Sequence, residues 1–171
     1  LLLSRLDQGR IDTQISDVDL NTLAMQFVAD RKPIAQQNGL ELFINTRSIP
    51  PIKGDADLIG QAISILLTNA LNYTPEGGSI TVRTGTRWSD GGLWAGIAII
   101  DTGQGIAPED QAHLFERFYR GKAGQESGVS GTGLGLSLAK EIAAHHNGKI
   151  EVESAPGQGA TFSIWLPIPE L

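Results

Sequence analysis

The stretch SITVRTGTRWSDGGLWAGIAIIDTGQG, residues 79–105, decides how the rest of the chain is read. Ser79 to Trp88 and Leu93 to Asp101 read as two strands, and Ser89-Asp90-Gly91-Gly92 between them reads as a hairpin connection. The second run is apolar, Ile97-Ala98-Ile99-Ile100, and gives directly onto Asp101-Thr102-Gly103-Gln104-Gly105-Ile106. A carboxylate at the end of a buried strand is placed to accept a hydrogen bond from a ligand. Glycines at 103 and 105 let a backbone turn sharply and approach that ligand. A plain strand-ending turn uses the same residue types, so these six residues alone leave both readings open.

Upstream of the hairpin, Gly54-Asp55 starts a long helix, about Asp55 to Tyr73, ended by Thr74-Pro75-Glu76-Gly77-Gly78. Gln61, Ile65, Asn69 and Tyr73 are four apart and share one face. Asn69 in so apolar a helix is a poor helix former and costly to bury unpaired. Its amide oxygen could ligate a hard cation such as Mg²⁺ with help from phosphates and water; a solvent-facing or internally bonded Asn is the alternative. Earlier still, Leu1 to Gly9 reads as the end of a helix with Leu2, Leu3 and Leu6 on one face, followed by an extended piece, Thr13 to Val18. A helix capped by Asp19 or Asn21 is expected to run to about Asn38, with Leu23, Phe27 and Ile34 on its apolar side and a distortion at Pro33. Leu40 to Asn45 is a strand, and Ile49-Pro50-Pro51 a loop.

Downstream, Thr102 to Gly133 is a long connection with a short helical stretch near Pro108 to Phe118 and a Gly/Ser-rich segment, Gly121 to Ser130. A connection of that length inside a domain is usually functional or disordered. Leu134 to Asn147 is a helix, and Lys149 to Ser154 and Ala160 to Leu166 are closing strands around Pro156-Gly157-Gln158-Gly159. Hairpins beside helices predict an α+β two-layer sandwich, with helices on one face of a mixed, mostly antiparallel sheet. The helix opening at Gly131-Thr132-Gly133-Leu134-Gly135-Leu136 has the makings of an anion site, since free N–H groups and the positive end of the dipole point there. The pattern is neither a Rossmann fingerprint, because Pro108 and Leu136 stand where the third glycine belongs, nor a Walker A loop, because Ala143 and Ile150 break Gly148-Lys149.

Composition narrows the field. Among 171 residues there are 13 Lys+Arg and 19 Asp+Glu, a formal charge of −6, which argues against a general nucleic-acid or anionic-membrane binder. Cysteine is absent, so disulfides, zinc-thiolate sites and thiol chemistry are excluded. Glycine, at 21 residues, is in excess and concentrated in the two segments above. The opening Leu1-Leu2-Leu3-Ser4-Arg5 carries no initiating Met, and the expectation is a fragment of a longer protein.

Taken together and in order, these clusters resemble the ATP-binding domain of sensor histidine kinases, within the GHKL ATPase superfamily with its Bergerat fold. Asp57 to Pro75 resembles the N-box, Asp101 to Ile106 the G1 box, Leu114 to Arg120 the F-box, Gly131 to Leu136 the G2 box, and Gly157 to Phe162 the G3 stretch with Ala160 inserted before Thr161. The resemblance runs over almost the whole chain and implies about three helices on one sheet face and a long ATP lid between Ile106 and Gly131. It implies residues 1–12 as the end of a dimerisation and phosphoacceptor hairpin, and 13–171 as the catalytic domain.

By that resemblance Asp101 accepts the adenine amino group, Gly103, Gly105 and Ile106 line the base, and Asn69 ligates Mg²⁺ with Asn72 and Tyr73 beside the nucleotide. Lys122, Gly131, Thr132, Gly133, Leu134, Gly135 and Leu136 serve the phosphates, Thr161 helps fix a water at the adenine, and Arg117 and Arg120 are cations for the reaction. Phe115 and Phe118 are expected to pack the lid from one face. The implied cofactors are ATP and Mg²⁺. The implied partners are the phosphoacceptor domain and a response regulator receiver domain, with a homodimeric parent and no nucleic acid. This part of the parent is expected in the cytoplasm, with an inner- or plasma-membrane anchor elsewhere as one option. His113, His145 and His146 lack the acceptor context and are read as structural, which puts the acceptor histidine upstream. Two positions depart from the family pattern: Ile65 stands where a second Asn is common, and Asn72 where a Lys often precedes the aromatic. They keep open the reading of a degenerate nucleotide-sensing or docking module; the other alternative, another GHKL ATPase or serine kinase, is disfavoured by the helical N-terminus, the Phe-rich lid and Ile65 where an ATPase would need a Glu.

Overall fold

The computed structural model describes residues 2–9, 11–121 and 133–170. Its elements in chain order are α1 (Leu2–Asp7), β1 (Ser16–Val18), α2 (Leu20–Gln37), β2 (Glu41–Asn45), β3 (Ile52–Gly54), α3 (Ala56–Tyr73), β4 (Ser79–Ser89), β5 (Gly92–Asp101), α4 (Pro108–Gln111), α5 (Gly135–His145), β6 (Lys149–Ser154) and β7 (Ala160–Pro167). The loop joining β4 to β5 is Asp90-Gly91, and both residues take positive φ, 51° and 77°. A two-residue hairpin loop needs that backbone because its twist matches the strands it joins.

Five strands form one sheet in the order β2-β4-β5-β7-β6, and β1 and β3 form a separate antiparallel pair. Only β2–β4 runs parallel in the large sheet; the other three pairings are antiparallel. Register puts Leu42, Ile80, Asp101 and Ala160 in one row across the sheet, and Ile44, Val82, Ile99 and Phe162 in the next row of the same face. These rows face α2, α3 and α5, whose apolar sides close the core with Ile59, Ile63, Leu66, Leu67 and Ile142. The other face is covered locally. The Trp165 ring lies over Gly96, Arg87 stacks 4.1 Å from the Trp165 centroid, and Glu151 binds that guanidinium at 3.0 and 2.5 Å.

Several local expectations need correction. In α2 the buried stripe is Leu20, Ala24, Val28 and Ala35, while Ile34 is 44% exposed and Leu23 and Phe27 only flank the core. The helix runs through Pro33 to Gln37. β3 was not legible, because three residues behind Pro50-Pro51 become a strand only by pairing with β1. The helix near Pro108 stops at Gln111 and turns follow it. Phe115 packs on the core, edge-on to Phe162 at 6.5 Å, whereas Phe118 is 72% exposed with φ +64°. The two rings therefore do not share a packed face.

Asp55 holds the start of α3. Its carboxylate accepts the N–H groups of Asp57 (3.0 Å), Leu58 (3.1 Å) and, from far upstream, Gln14 (3.0 Å). Burial alone would raise this carboxyl, but the three N–H donors and nearby His146 hold it below its ordinary value. That stabilisation is present above the unfolded value of 3.8 and is lost as pH falls through the lower folded one. Asp55→Ala is expected to destabilise the domain by about 1–2 kcal/mol, read as a lower Tm at neutral pH and a difference from the parent that narrows in acid.

Candidate functional site

β5 delivers Asp101 to the sheet end on the helix side, where it is 7% exposed. Its Oδ1 accepts the N–H of Gly103 at 2.9 Å and of Ala160 at 3.2 Å. Both bonds fall on one oxygen, which leaves Oδ2 for a donor from outside. Burial raises the pKa of this carboxyl, and the two N–H groups oppose the rise. The arrangement is a fixed, partly desolvated acceptor, the condition under which one hydrogen bond to a ligand discriminates strongly.

The glycines around it work by close approach. Gly103 sits against the Tyr73 carbonyl at the end of α3. Gly105, at φ +77°, lies against the Ala155 carbonyl, where a Cβ would collide with backbone. Side chains fasten this loop to the β6–β7 turn. The Ser154 hydroxyl accepts the Ile106 N–H at 2.9 Å and donates to the Gly159 carbonyl at 2.6 Å, and Gln111 Nε2 donates to the carbonyls of Ile106 (2.8 Å) and Ser154 (2.9 Å).

α3 is the shared wall. Its Tyr73 end touches Gly103, and two turns earlier Ile65 touches Gly135 at the start of α5, with Cγ2 3.4 Å from where a Cβ would stand. Asn69 lies midway, four residues from each, and is half-buried. Asn72 turns outward and is exposed. The first turn of α5 has no side-chain cap at Leu134, so its N–H groups remain for an anion. Among the described residues no three His, Asp or Glu gather to hold a metal. On this face of α3 the Asn69 amide oxygen is a group that could join ligand phosphates and water in holding a hard cation.

Of the expected site residues, the structure puts Asp101 and Tyr73 against Gly103 at one end of α3, ties Ile106 to the β6–β7 turn, and sets Gly135 against Ile65 two turns back along α3, with Asn69 between the two ends and Gly133 against Phe118. Lys122, Gly131 and Thr132 lie outside the described residues, as does most of the Gly/Ser-rich segment. Thr161 is a correction. It pairs with Ile100 on the sheet face away from the helices, and Ala160 is the residue opposite Asp101. Gly157 to Phe162 thus needs no inserted residue. The position beside Asp101 is Ala160, which contributes its N–H and no hydroxyl. Ala160, Ser154 and Gln111 were missed; register and a distant hydrogen bond reveal them, and no local pattern does.

A family model described as histidine kinase-, DNA gyrase B-, and HSP90-like ATPase matches residues 54–170, which takes in α3, Asp101 and both glycine segments. The chain belongs to this family. The sensor-like histidine kinase SenX3 of Mycobacterium tuberculosis strain H37Rv is 37% identical over 165 residues, 96% of this chain and 39% of that protein. The adaptive-response sensory kinase SasA of Rippkaea orientalis is 36% identical over 169 residues, 98% of this chain and 42% of that protein. The crystal structure of full-length ShkA in complex with AMPPNP superposes with a TM-score of 0.84 at 28% identity, covering 99% of this chain and 34% of that one. The chain thus spans about two fifths of the length of these two curated relatives. Within the family this is an ATP-binding domain of sensor-histidine-kinase type. No helix among the described residues is long and apolar enough to cross a membrane.

Proposed function

We propose that this domain binds Mg-ATP between α3, the loop after β5 and the start of α5, and presents the γ-phosphoryl to a histidine of a phosphoacceptor domain, from which a response regulator aspartate takes it. The observation that carries the reading is Asp101, a buried carboxylate whose Oδ1 is engaged by two backbone N–H groups and whose second oxygen suits an adenine amino group. In this reading Gly103, Gly105 and Ile106 line the base, Tyr73 flanks the nucleotide, and Gly133, Leu134, Gly135 and Leu136 offer backbone N–H groups to phosphate oxygens. Arg117 and Arg120 supply positive charge. Magnesium, when bound through Asn69, would neutralise phosphate charge and fix its orientation. Phosphoryl transfer needs mainly such positioning and charge.

The acceptor is none of the three histidines here. His146 accepts the Asp55 N–H on Nε2 at 3.0 Å and bonds the Ile142 carbonyl through Nδ1 at 2.8 Å. His113 Nδ1 lies 2.7 Å from Glu116, and His145 Nε2 lies 2.7 Å from Thr13 Oγ1. The partners in this reading are the parent's phosphoacceptor domain, in a homodimer, and a receiver domain, with this part of the parent in the cytoplasm.

Calorimetric titration with a non-hydrolysable ATP analogue, with and without Mg²⁺, tests the site. Micromolar to millimolar binding that Mg²⁺ strengthens is expected. Asn69→Ala should remove about tenfold or more of the Mg²⁺-dependent part, the loss of one charge-assisted ligand contact, and leave metal-free binding nearly unchanged. Absence of heat and of any thermal shift at millimolar analogue overturns the reading. One observation favours a second reading: Ile65 fills the place beside Gly135 with a methyl group and can neither ligate metal nor orient a nucleophile. A domain that binds nucleotide without transferring phosphoryl would follow. Failure to phosphorylate a supplied phosphoacceptor domain, with binding intact, selects it.

A further inference from the structure

Arg117 does not point into empty solvent. Its guanidinium is ion-paired with Asp7 on α1, 110 residues away in sequence. The backbone beside it is fastened to the start of α5, because the Phe118 N–H donates to the Gly133 carbonyl at 3.0 Å. The Asp7–Arg117 pair therefore ties α1 to the segment whose backbone is fastened just ahead of α5. α1 itself is docked on α5, with Leu3 and Leu6 buried. The chain after α1 is tied to the opposite end of α5 through Thr13 to His145 at 2.7 Å, and to the α3 cap through the Gln14 N–H to Asp55 at 3.0 Å. α1 and residues 11–14 thus form a strap on α5, with α1 carrying an anion paired to Arg117 and residues 13 and 14 pinned at the far end of α5 and at the α3 cap.

We propose that Asp7 is a built-in competitor for the nucleotide: its carboxylate holds Arg117 until a polyphosphate takes that cation over, and the hold on α1 weakens when it does. This rests on the nucleotide reading above, since it assumes that Arg117 serves the phosphates. One guanidinium cannot satisfy both anions at full strength, and Asp7 is always present at the high effective concentration of a tethered group. Linkage makes the effect reciprocal. Whatever factor Asp7 subtracts from nucleotide affinity, bound nucleotide subtracts from the docking of α1. The segment upstream of the domain would then be informed of nucleotide occupancy through a single ion pair. Because both side chains are part-exposed, the factor is modest, about two- to fivefold.

The test uses the 171-residue chain in two measurements. In titrations with the ATP analogue at low salt, Asp7→Asn should bind about two- to fivefold tighter than the parent, and the gain should vanish in 1 M NaCl. In hydrogen exchange without nucleotide, amides of residues 114–121 should exchange severalfold faster in Asp7→Asn. The double reversal Asp7→Arg with Arg117→Asp separates the two roles: it should restore protection by re-forming the pair, while affinity stays weak because the cation has left the phosphate side. A parent that binds the analogue, beside an Asp7→Asn with unchanged affinity and unchanged exchange, overturns the competition and leaves the nucleotide site standing. A parent that binds no analogue overturns both, and the exchange arm then reports only whether the strap exists.

Discussion

Asp101→Asn is expected to lower affinity for an ATP analogue by about ten- to a hundredfold and to leave Tm equal to or above that of the parent. The two effects separate because the side chain does two things. Toward the protein it is an acceptor: Oδ1 takes the N–H groups of Gly103 and Ala160, and an asparagine oxygen takes both equally well. Toward the ligand it also offers an acceptor, and there the substitution puts an amide NH₂ against an adenine amino group. A donor then faces a donor in a partly desolvated place, and losing a hydrogen bond to a charged group is worth about 1.5–3 kcal/mol. The fold meanwhile stops burying a charge. Burial has pushed this carboxyl above its unfolded value of 3.8, so the folded chain holds that proton more tightly than the unfolded one. Its contribution to stability is full below 3.8 and is lost as pH rises through the raised folded value. At neutral pH the parent bears that cost and the Asn variant does not. Nucleotide affinity of the parent should also fall as pH drops through the raised value, while that of Asp101→Asn should not. Calorimetry and thermal melts between pH 4 and 8 read both effects; a large loss of Tm in Asp101→Asn would show that the carboxylate is a structural support.

Where the fold was legible, a local interaction carried it. Asp90-Gly91 can adopt the positive φ of a two-residue hairpin loop, so β4 and β5 were set by four residues. The apolar face from Leu58 to Leu71 is buried against the sheet, as its helical spacing implies. Where it was not legible, the deciding partner was distant. Ile34 looked like core, yet α2 turns small residues, Ala24 and Ala35, inward so that its backbone can approach the sheet. The phenylalanines at 115 and 118 have helical spacing, but Phe118 is drawn into a left-handed conformation beside Gly133 and the helix never reaches it.

The site divides the same way. Asp101, Asn69 and the glycines stood out as candidates by type and spacing, because an acceptor, a hard-cation ligand and a close-approach backbone each need particular residues. Thr161 was not, since only register tells which of two adjacent strand residues faces Asp101. Asp7 had no local signal at all, because its partner is set by the docking of α1 on α5.

The largest effect on stability is expected from Gly159→Ala. Gly159 is buried in the turn before β7 with φ +71°, and an added Cβ would run into the carbonyl of Asp101. Two penalties combine there. The left-handed backbone costs an alanine about 1–2 kcal/mol, and the collision is with main chain that strand pairing between β5 and β7 holds in place. A total of about 3–4 kcal/mol lies in the range reserved for named structural lesions and corresponds to about 6–16 °C in a domain of this size. Relief requires Asp101 or the turn packed on it to move, and either shift disturbs the Ala160 N–H that Asp101 accepts, so nucleotide affinity should fall with stability. Gly157→Ala is the control. Gly157 has nearly the same backbone, φ +80°, but no atom within 4 Å of the new methyl, so it carries the conformational penalty alone. Gly157→Ala should lose about 1–2 kcal/mol and keep its affinity for the analogue. Equal losses in the two variants, by thermal denaturation and by titration, would mean that the β5–β7 pairing yields and that Asp101 is not held by the turn beside it. A gap of about 1–3 kcal/mol, with binding lost only in Gly159→Ala, ties the position of Asp101, the proposed adenine acceptor, to the packing of this one glycine.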